Sequence, residues 1–346
     1  MVSISVQQNV SLPEGYTARP ATMDDAEICV GLFNACEQAQ FGEQTARTDK
    51  LLGEWERSGF DLSTSTLLVF APDNTLVGCI EVNDDDEVPV QPFVWARVHP
   101  QYLNKGVGTY IMRWAAKRAR QAIERVPDDA RVVIQTACQL GHKPSEQLFE
   151  NEGMSLVRHF WTMRIDALHA APAPQIPDGF EFRPMRYPEE FEKVVRATDD
   201  AFKDHWGHVD QSDEASLKEW TDWVENEPDF DPTVWFLAID KATDEIAGMS
   251  LCLKKARNNS EMGAVDSLGV RRAWRRKGLA LAILQYSFHE LHKVGNNSVI
   301  LGVDASSLTG ATRLYEKAGM HVERQTSVYE RELRPGKTLS TTTAGE

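Results

Sequence analysis

The chain repeats itself, and an internal repeat constrains a fold more than any local pattern does. Residues 12–20 (LPEGYTARP) return as residues 176–184 (IPDGFEFRP), 105–112 (KGVGTYIM) as 277–284 (KGLALAIL), and 148–154 (LFENEGM) as 314–320 (LYEKAGM). The order is the same in both copies, and the offsets are 164, 172 and 166 residues. A chain of 346 residues therefore divides into two units of ordinary domain size. The expected organisation is a first unit over 1–168, an Ala- and Pro-rich linker over 169–178, and a second unit over 179–335. The polar segment 336–346 (GKTLSTTTAGE from Gly336) reads as a disordered tail.

Each copy runs through the same coarse order. An extended piece leads into helical material that opens with acidic starts (TMDDAE, YPEEFE). Two apolar strands follow, then a strand ending at Val98 or Val270, a glycine turn and an amphipathic helix. A β-branched strand, a short helix and a last extended region close the unit. The expectation is an α/β fold of two similar domains, each a mixed, largely antiparallel twisted sheet flanked by helices. Net charge is -15, so nucleic acid is not an expected partner. No apolar run approaches the roughly 20 residues of a membrane span, and the N-terminus lacks a basic start and an apolar core. Five cysteines without a C-x-x-C spacing point to free thiols in a cytoplasmic setting.

One turn carries a candidate chemistry. A strand ending Leu268-Gly269-Val270 is followed by RRAWRRK over 271–277 and by Gly278-Leu279-Ala280, which opens a helix. A helix start presents unpaired N–H groups and a partial positive charge, and a glycine there lets backbone approach a phosphate. Arg275, Arg276 and Lys277 add charged donors. A solvated basic turn is the competing reading. Neither a P-loop nor a dinucleotide fingerprint is present.

With VDASSLTGATRLYEKAGM over 303–320, this turn resembles the GNAT superfamily of acyl-CoA N-acyltransferases, and two such units resemble its tandem members. The resemblance implies acetyl-CoA as co-substrate and no metal. It puts the pyrophosphate on the backbone of 275–280 and the pantetheine arm along Leu268, Gly269 and Val270. Ser307 stands where relatives carry Asn, which weakens one contact to that arm. The implied reaction is transfer of an acyl group to the primary amine of a small molecule. The amine must lose a proton, at a cost of roughly 4–5 kcal/mol at neutral pH, and the departing thiolate must gain one. Asp266 is the base candidate on the strand; the alternatives are an Asp paired with Arg271, or Glu261 as base instead. Tyr315 is the acid candidate by resemblance, although its spacing with Ala311, Leu314 and Ala318 equally describes a core stripe.

Counting between the copies sets Val94 opposite Asp266, Leu103 opposite Arg275 and Phe149 opposite Tyr315. Only the second unit is then expected to be catalytic. The first is a scaffold or keeps a second CoA site at Val98, Lys105, Gly106 and Gly108. Asp204, His205 and Trp206 are expected at the acceptor pocket, with the carboxylate holding an ammonium group; Trp220 and Trp223 read as core. No cysteine or serine stands in a nucleophile pattern, so direct transfer in a ternary complex is favoured over an acyl-enzyme. The runner-up is a non-catalytic acyl-CoA-binding regulator, and acetylation of a thiol-precursor amine is another alternative. A monomer and a homodimer are both compatible with the sequence.

Overall fold

The computed structural model describes residues 11–306 and 310–342. The first copy supplies β1 (Thr17–Arg19), α1 (Ala26–Phe41), α2 (Thr48–Glu56), α3 (Leu62–Ser65), β2 (Thr66–Phe70), β3 (Leu76–Asn83) and β4 (Phe93–Val98). It continues with α4 (Val107–Ala119), β5 (Val132–Gln139), α5 (Lys143–Asn151) and β6 (Ser155–Ile165). The second copy repeats the series as β7 (Phe180–Pro184), α6 (Phe191–Phe202), α7 (Asp213–Asn226), β8 (Trp235–Asp240), β9 (Glu245–Leu253) and β10 (Met262–Val270). Its last elements are α8 (Leu279–Lys293), β11 (Ser298–Asp304), α9 (Ala311–Lys317) and β12 (His321–Arg334).

The twelve strands among the described residues form one sheet, in the order β1-β2-β3-β4-β5-β12-β6-β11-β10-β9-β8-β7. The closing strands are exchanged. β6 of the first copy pairs antiparallel with β11 of the second, from Val299↔Ile165 to Asp304↔Phe160. β12 of the second copy pairs with β5 of the first, from Thr326↔Gln139 to Arg334↔Val132. β6 and β12 then zip to each other across the centre. A boundary near residue 168 thus cuts the chain between its copies but not between its packed halves. Each half needs a strand from the other to satisfy the backbone of β5 or β11.

Both faces are covered, which is why the inner strands read as continuous apolar runs. In β2, Leu67 and Val69 face α4 while Leu68 faces α1 and α2. In β8, Phe236 and Ala238 face α8, and Trp235, Leu237 and Ile239 face α6 and α7. Trp220 and Trp223 join that last cluster, with ring centroids 5.7 and 6.0 Å from Trp235, as expected of core residues. The halves also meet through ion pairs, Arg47–Asp229 at 2.5 Å and Lys50–Glu227 at 3.0 Å. The C-terminal segment differs from expectation as far as residue 342. Arg131 donates its amide to Lys337 O at 2.8 Å, and Gly207 donates to Thr341 O at 2.9 Å, so this stretch is tied to both halves. Among the described residues no helix is long and apolar enough to cross a membrane.

In each half, two central strands run parallel only briefly. β4 and β5 pair at Phe93↔Gln135 and Val94↔Thr136. β10 and β11 pair from Met262↔Ser298 to Val265↔Leu301, and beyond that point no pairing joins them. The result is a V in the sheet that opens toward the glycine turn.

Candidate active site

The V in the second half is shaped by a single extra residue. Along β10, Val265 faces Cys252 and Ser267 faces Leu251, so Asp266 has no partner and forms a β-bulge. β4 keeps an unbroken register against β3, with Val82↔Val94 followed at once by Glu81↔Trp95. Val94 therefore matches Val265, and both lie in the core beneath the long helix. This corrects the count that set Val94 opposite Asp266: the first copy has no position for Asp266 at all. A bulge re-aims a side chain, and here it turns a carboxylate into the mouth of the V. Asp266 accepts a hydrogen bond from Ser267 Oγ at 3.0 Å. It does not pair with Arg271, whose guanidinium holds Asp200 at 2.8 Å. Asp266 is exposed to water at the mouth of the V, and the protein packed around that mouth disfavours the charged form and raises its pKa above the ordinary carboxylate value. The alternative base Glu261 lies at the far end of the strand, where its carbonyl accepts from Asn297 N at 2.7 Å.

Asp266, Leu268 and Tyr315 line one cavity of about 210 Å3, together with Phe202, His205 and Trp206. Tyr315 is 7% exposed, and burial pushes its phenol up to about 12, so the hydroxyl keeps its proton at neutral pH. The exchanged strand completes the wall. Phe160 of β6 lies 6.2 Å from Trp206, and Arg158 grips Asp304 with Nη2 at 2.7 Å and Nε at 3.0 Å while standing 5.5 Å from the Trp206 ring. Nothing local in the sequence marks Arg158 or Phe160. Both belong to the first repeat and come here only through the strand exchange: Phe160 lines the cavity, and Arg158 stands against two of its lining residues, Asp304 and Trp206.

The glycine turn has the backbone expected of a phosphate cradle. Arg276 (φ 64°) and Gly278 (φ 80°) both take the left-handed conformation, and the amides at the start of α8 face outward without intrahelical partners. Arg276, Lys277 and Gly278 are exposed, whereas Leu279 is buried in the core. Arg275 departs from the expected side-chain role. It bonds Asp204 at 2.6 Å, Ala201 O at 3.0 Å and Val270 O at 3.0 Å, so its guanidinium is spent on fastening the end of α6 to β10. Asp204 is correspondingly unavailable to an ammonium group. It is held by Arg275 and by Arg272, which keep its pKa below the usual range. His205 packs 4.3 Å from Phe202, and burial lowers its pKa. Ser307 lies outside the described residues.

The first half has a matching cleft of about 290 Å3, walled in part by Val98, Gly106, Gly108 and Phe149. Its turn repeats the kinks, with Asn104 at φ 60° and Gly106 at φ 85°. Lys105 does not enter that wall; its Nζ sits 4.3 Å from the Tyr102 ring centroid. Leu103 replaces the arginine clamp, and Phe149 is a buried ring packed 5.3 Å from Tyr329.

A splayed parallel pair of strands beside a glycine turn that opens a helix, the backbone frame of an acyl-CoA-dependent transferase fold, is present twice, and only the second copy has a carboxylate and a phenol at its mouth. The profile of the acetyltransferase (GNAT) family matches residues 31–152 and 191–320, and the chain belongs to that family. It is similar to a GCN5-related N-acetyltransferase from Sphaerobacter thermophilus, with 32% identity, 96% of this chain and 100% of that one covered, and a TM-score of 0.80. A tandem GNAT protein from the clavulanic acid biosynthesis pathway shares the fold, at 13% identity and TM-score 0.69 over 93% of this chain and 100% of that one. The mycothiol acetyltransferase of Renibacterium salmoninarum is 28% identical over 248 residues, which cover 70% of this chain and 68% of that protein. The protein is an acetyltransferase with two GNAT domains.

Proposed function

We propose that the protein is an acetyl-CoA-dependent N-acetyltransferase that acts on the primary amine of a small molecule, by direct transfer, in its second half. The observation that carries this reading is the Asp266 bulge, which faces the same cavity as Tyr315 and Leu268. Acetyl-CoA rests its pyrophosphate on the amides of 276–280 and runs its pantetheine arm along the free edge of Leu268–Val270, adding a strand to the open V. That delivers the thioester to the cavity. Asp266, directly or through one water, takes a proton from the acceptor ammonium. The neutral nitrogen attacks the thioester carbon, and the main-chain N–H beside the bulge, at Leu268 or its neighbour, faces the developing oxyanion. As the C–S bond breaks, the electron pair leaves on sulfur, and Tyr315 Oη–H donates to it. The nitrogen's second proton is shed as the tetrahedral intermediate collapses and replaces, through water, the one that Tyr315 gave to sulfur; the products are an amide and CoA, and Asp266 releases its proton to solvent.

The first half serves as scaffold and strand donor: its cleft keeps the backbone cradle but has a phenylalanine for the tyrosine and no bulge. The five cysteines are free thiols, four of them buried, which suits a cytoplasmic setting. Calorimetric titration with acetyl-CoA, combined with single-turnover thiol release, tests the reading. One productive site is expected, with release lost in Tyr315→Phe and Asp266→Asn while acetyl-CoA still binds. Unchanged release in both variants overturns it.

A further inference from the structure

Beyond β12 the chain crosses from one half of the molecule to the other. Gly336 lies so close to the backbone of 129–131 that an added Cβ would meet Asp129 O at 2.3 Å and Ala130 C at 2.7 Å. Lys337 donates its amide to Asp129 O at 2.6 Å, and its carbonyl accepts from Arg131 N at 2.8 Å, an isolated bridge to the first half. Leu339 packs against the core of that half, and Ser340 Oγ accepts from Gln91 Nε2 at 2.7 Å. Thr341 then reaches the second half and pairs with the loop after α6 in both directions. Gly207 donates to Thr341 O at 2.9 Å, and Thr341 N donates to His208 O at 2.8 Å. The Thr341 hydroxyl donates to Lys203 O at 3.2 Å.

That loop is the acceptor side of the reaction cavity, which Asp204, His205 and Trp206 line. Its near end is fixed at Asp204 by Arg275 and Arg272. Its far end turns at Gly207, with φ 85°, a residue that adds no stiffness of its own. Further on, Val209 packs against the first half's core, and Glu87 holds the Ser212 amide at 2.7 Å ahead of α7. Among the described residues, the backbone bonds that tie 205–208 to a segment beyond the loop and α6 are the two with Thr341. Ordering such a stretch costs backbone entropy, which contacts at both ends must offset. Trp206 therefore stands between an arginine clamp on one side and the C-terminal crossing on the other.

We propose that segment 336–341 is a positioning element of the active site: Thr341 fixes the far end of the 204–208 loop, and that holds Trp206 against Phe160 and Arg158 as a wall of the reaction cavity. The role rests on the N-acetyltransferase reading of that cavity and adds to it a residue that shapes the acceptor side without lining it. It also gives the first half a second hold on the reaction, since the crossing is anchored at Asp129, Arg131 and Gln91.

The test uses the full-length protein labelled with 5-fluorotryptophan, whose fluorine spectrum reports nine tryptophans, with Trp206 assigned from Trp206→Phe. Thr341→Pro removes the amide donor to His208 O, and Gly336→Val drives a side chain into backbone at the root of the crossing. In both, the Trp206 resonance is expected to move toward that of free fluorotryptophan while the others stay. Thr341→Val keeps the two backbone bonds and should restore the wild-type spectrum. Phe160→Leu should shift the Trp206 resonance in the wild type but not beside Thr341→Pro. Thiol release with acetyl-CoA and hydroxylamine, an amine that is neutral at neutral pH, reads the consequence for transfer. Its kcat/KM should fall about 10-fold in Thr341→Pro through the hydroxylamine KM, with acetyl-CoA affinity within about 2-fold of wild type, as expected when a wall shifts and the cradle does not. A Trp206 resonance that stays in both variants, or one that moves while the kinetics do not, overturns the proposal. So does a spectrum in which all the resonances move together, which would make the segment a fold element. A wild type that binds acetyl-CoA and passes nothing to hydroxylamine overturns transfer to that amine, and the Trp206 resonance still decides the role of Thr341. A wild type that binds no acetyl-CoA overturns the transferase reading beneath it.

Discussion

The two glycine turns are near copies in backbone. Asn104 and Gly106 take φ 60° and 85°, Arg276 and Gly278 take 64° and 80°, and the first helical bonds are alike, Tyr110 N to Gly106 O at 3.0 Å and Ala282 N to Gly278 O at 3.2 Å. The strands before them are not alike. β4 runs straight through the point where β10 inserts Asp266. The closing helices present a buried phenylalanine in one half and a phenol in the other. Shape and chemistry have thus been separated within one chain. The cradle survives wherever the helix start packs against the sheet, because Val107 and Leu279 are fully buried there for reasons of core packing alone. In the proposed reaction the chemistry resides in one inserted residue and one hydroxyl, neither of which the fold needs.

The sharpest way to break that comparison is to remove the insertion. Deleting Asp266 gives β10 the register of β4, so the chain should still fold while acetyl transfer falls below detection. Asp266→Asn and Tyr315→Phe should each lower kcat by about 100-fold or more, the usual worth of a positioned acid or base, with acetyl-CoA affinity unchanged. Phe149→Tyr should create no activity, since the first cleft has no bulge beside it. The pH profile carries the same signature. The base works only when ionised, so the rate should fall as pH drops through the pKa of Asp266. Desolvation raises that pKa, which sets the acid limb above the value of an ordinary carboxylate. In Asp266→Asn the limb should vanish; a limb that persists assigns the base elsewhere.

The repeat was legible in the sequence, and with it the two GNAT-like units and the left-handed backbone of the glycine turn, because each rests on a local pattern or a turn that needs glycine; Tyr315 came by resemblance, since its spacing describes a core stripe equally well. Val94 was set opposite Asp266 by counting, and a bulge defeats counting: one unpaired residue shifts the match for everything before it. Arg275 reads as a phosphate ligand in the sequence because its partners, Asp204 and the Ala201 carbonyl, come from a helix more than seventy positions earlier. The exchange of β6 and β12 left no local trace, since a strand's apolar pattern is satisfied equally by either neighbour. The residues it delivers, Arg158 and Phe160, could be found only in three dimensions.

Arg158 sharpens the comparison from the other side, because it is a first-copy residue that holds Asp304 and Trp206, two lining residues of the second copy's cavity. Arg158→Ala frees Asp304 and the Trp206 ring without touching the cradle. We expect kcat/KM to fall about 10-fold, in line with loss of a part-buried charged pair, while acetyl-CoA binds as before. An equal loss of acetyl-CoA affinity would mean that the substitution disturbs the V as a whole, and Arg158 would then count as a fold residue.

The smallest effects come from making the same change in both turns. Gly106→Ala and Gly278→Ala each force an L residue to φ near 80°, and neither new Cβ meets a close neighbour: nothing lies within 4 Å at Gly278, and Pro13 Cγ lies at 3.8 Å from Gly106. Backbone strain is then the only cost, about 1 kcal/mol at either site, visible as similar small decreases in Tm. The two variants should part company in kinetics. At Gly278 the added methyl stands where a phosphate must approach the amides, so the KM for acetyl-CoA should rise several-fold. At Gly106 it should leave the kinetics unchanged, because the proposed reaction does not use that cradle. A matching rise in KM from Gly106→Ala would mean that cofactor held in the first cleft supports the reaction in the second. The exchanged strands give such a coupling a path: Thr326 of β12 walls both the first cleft and the space between the halves that borders Asp266 on the side away from Tyr315.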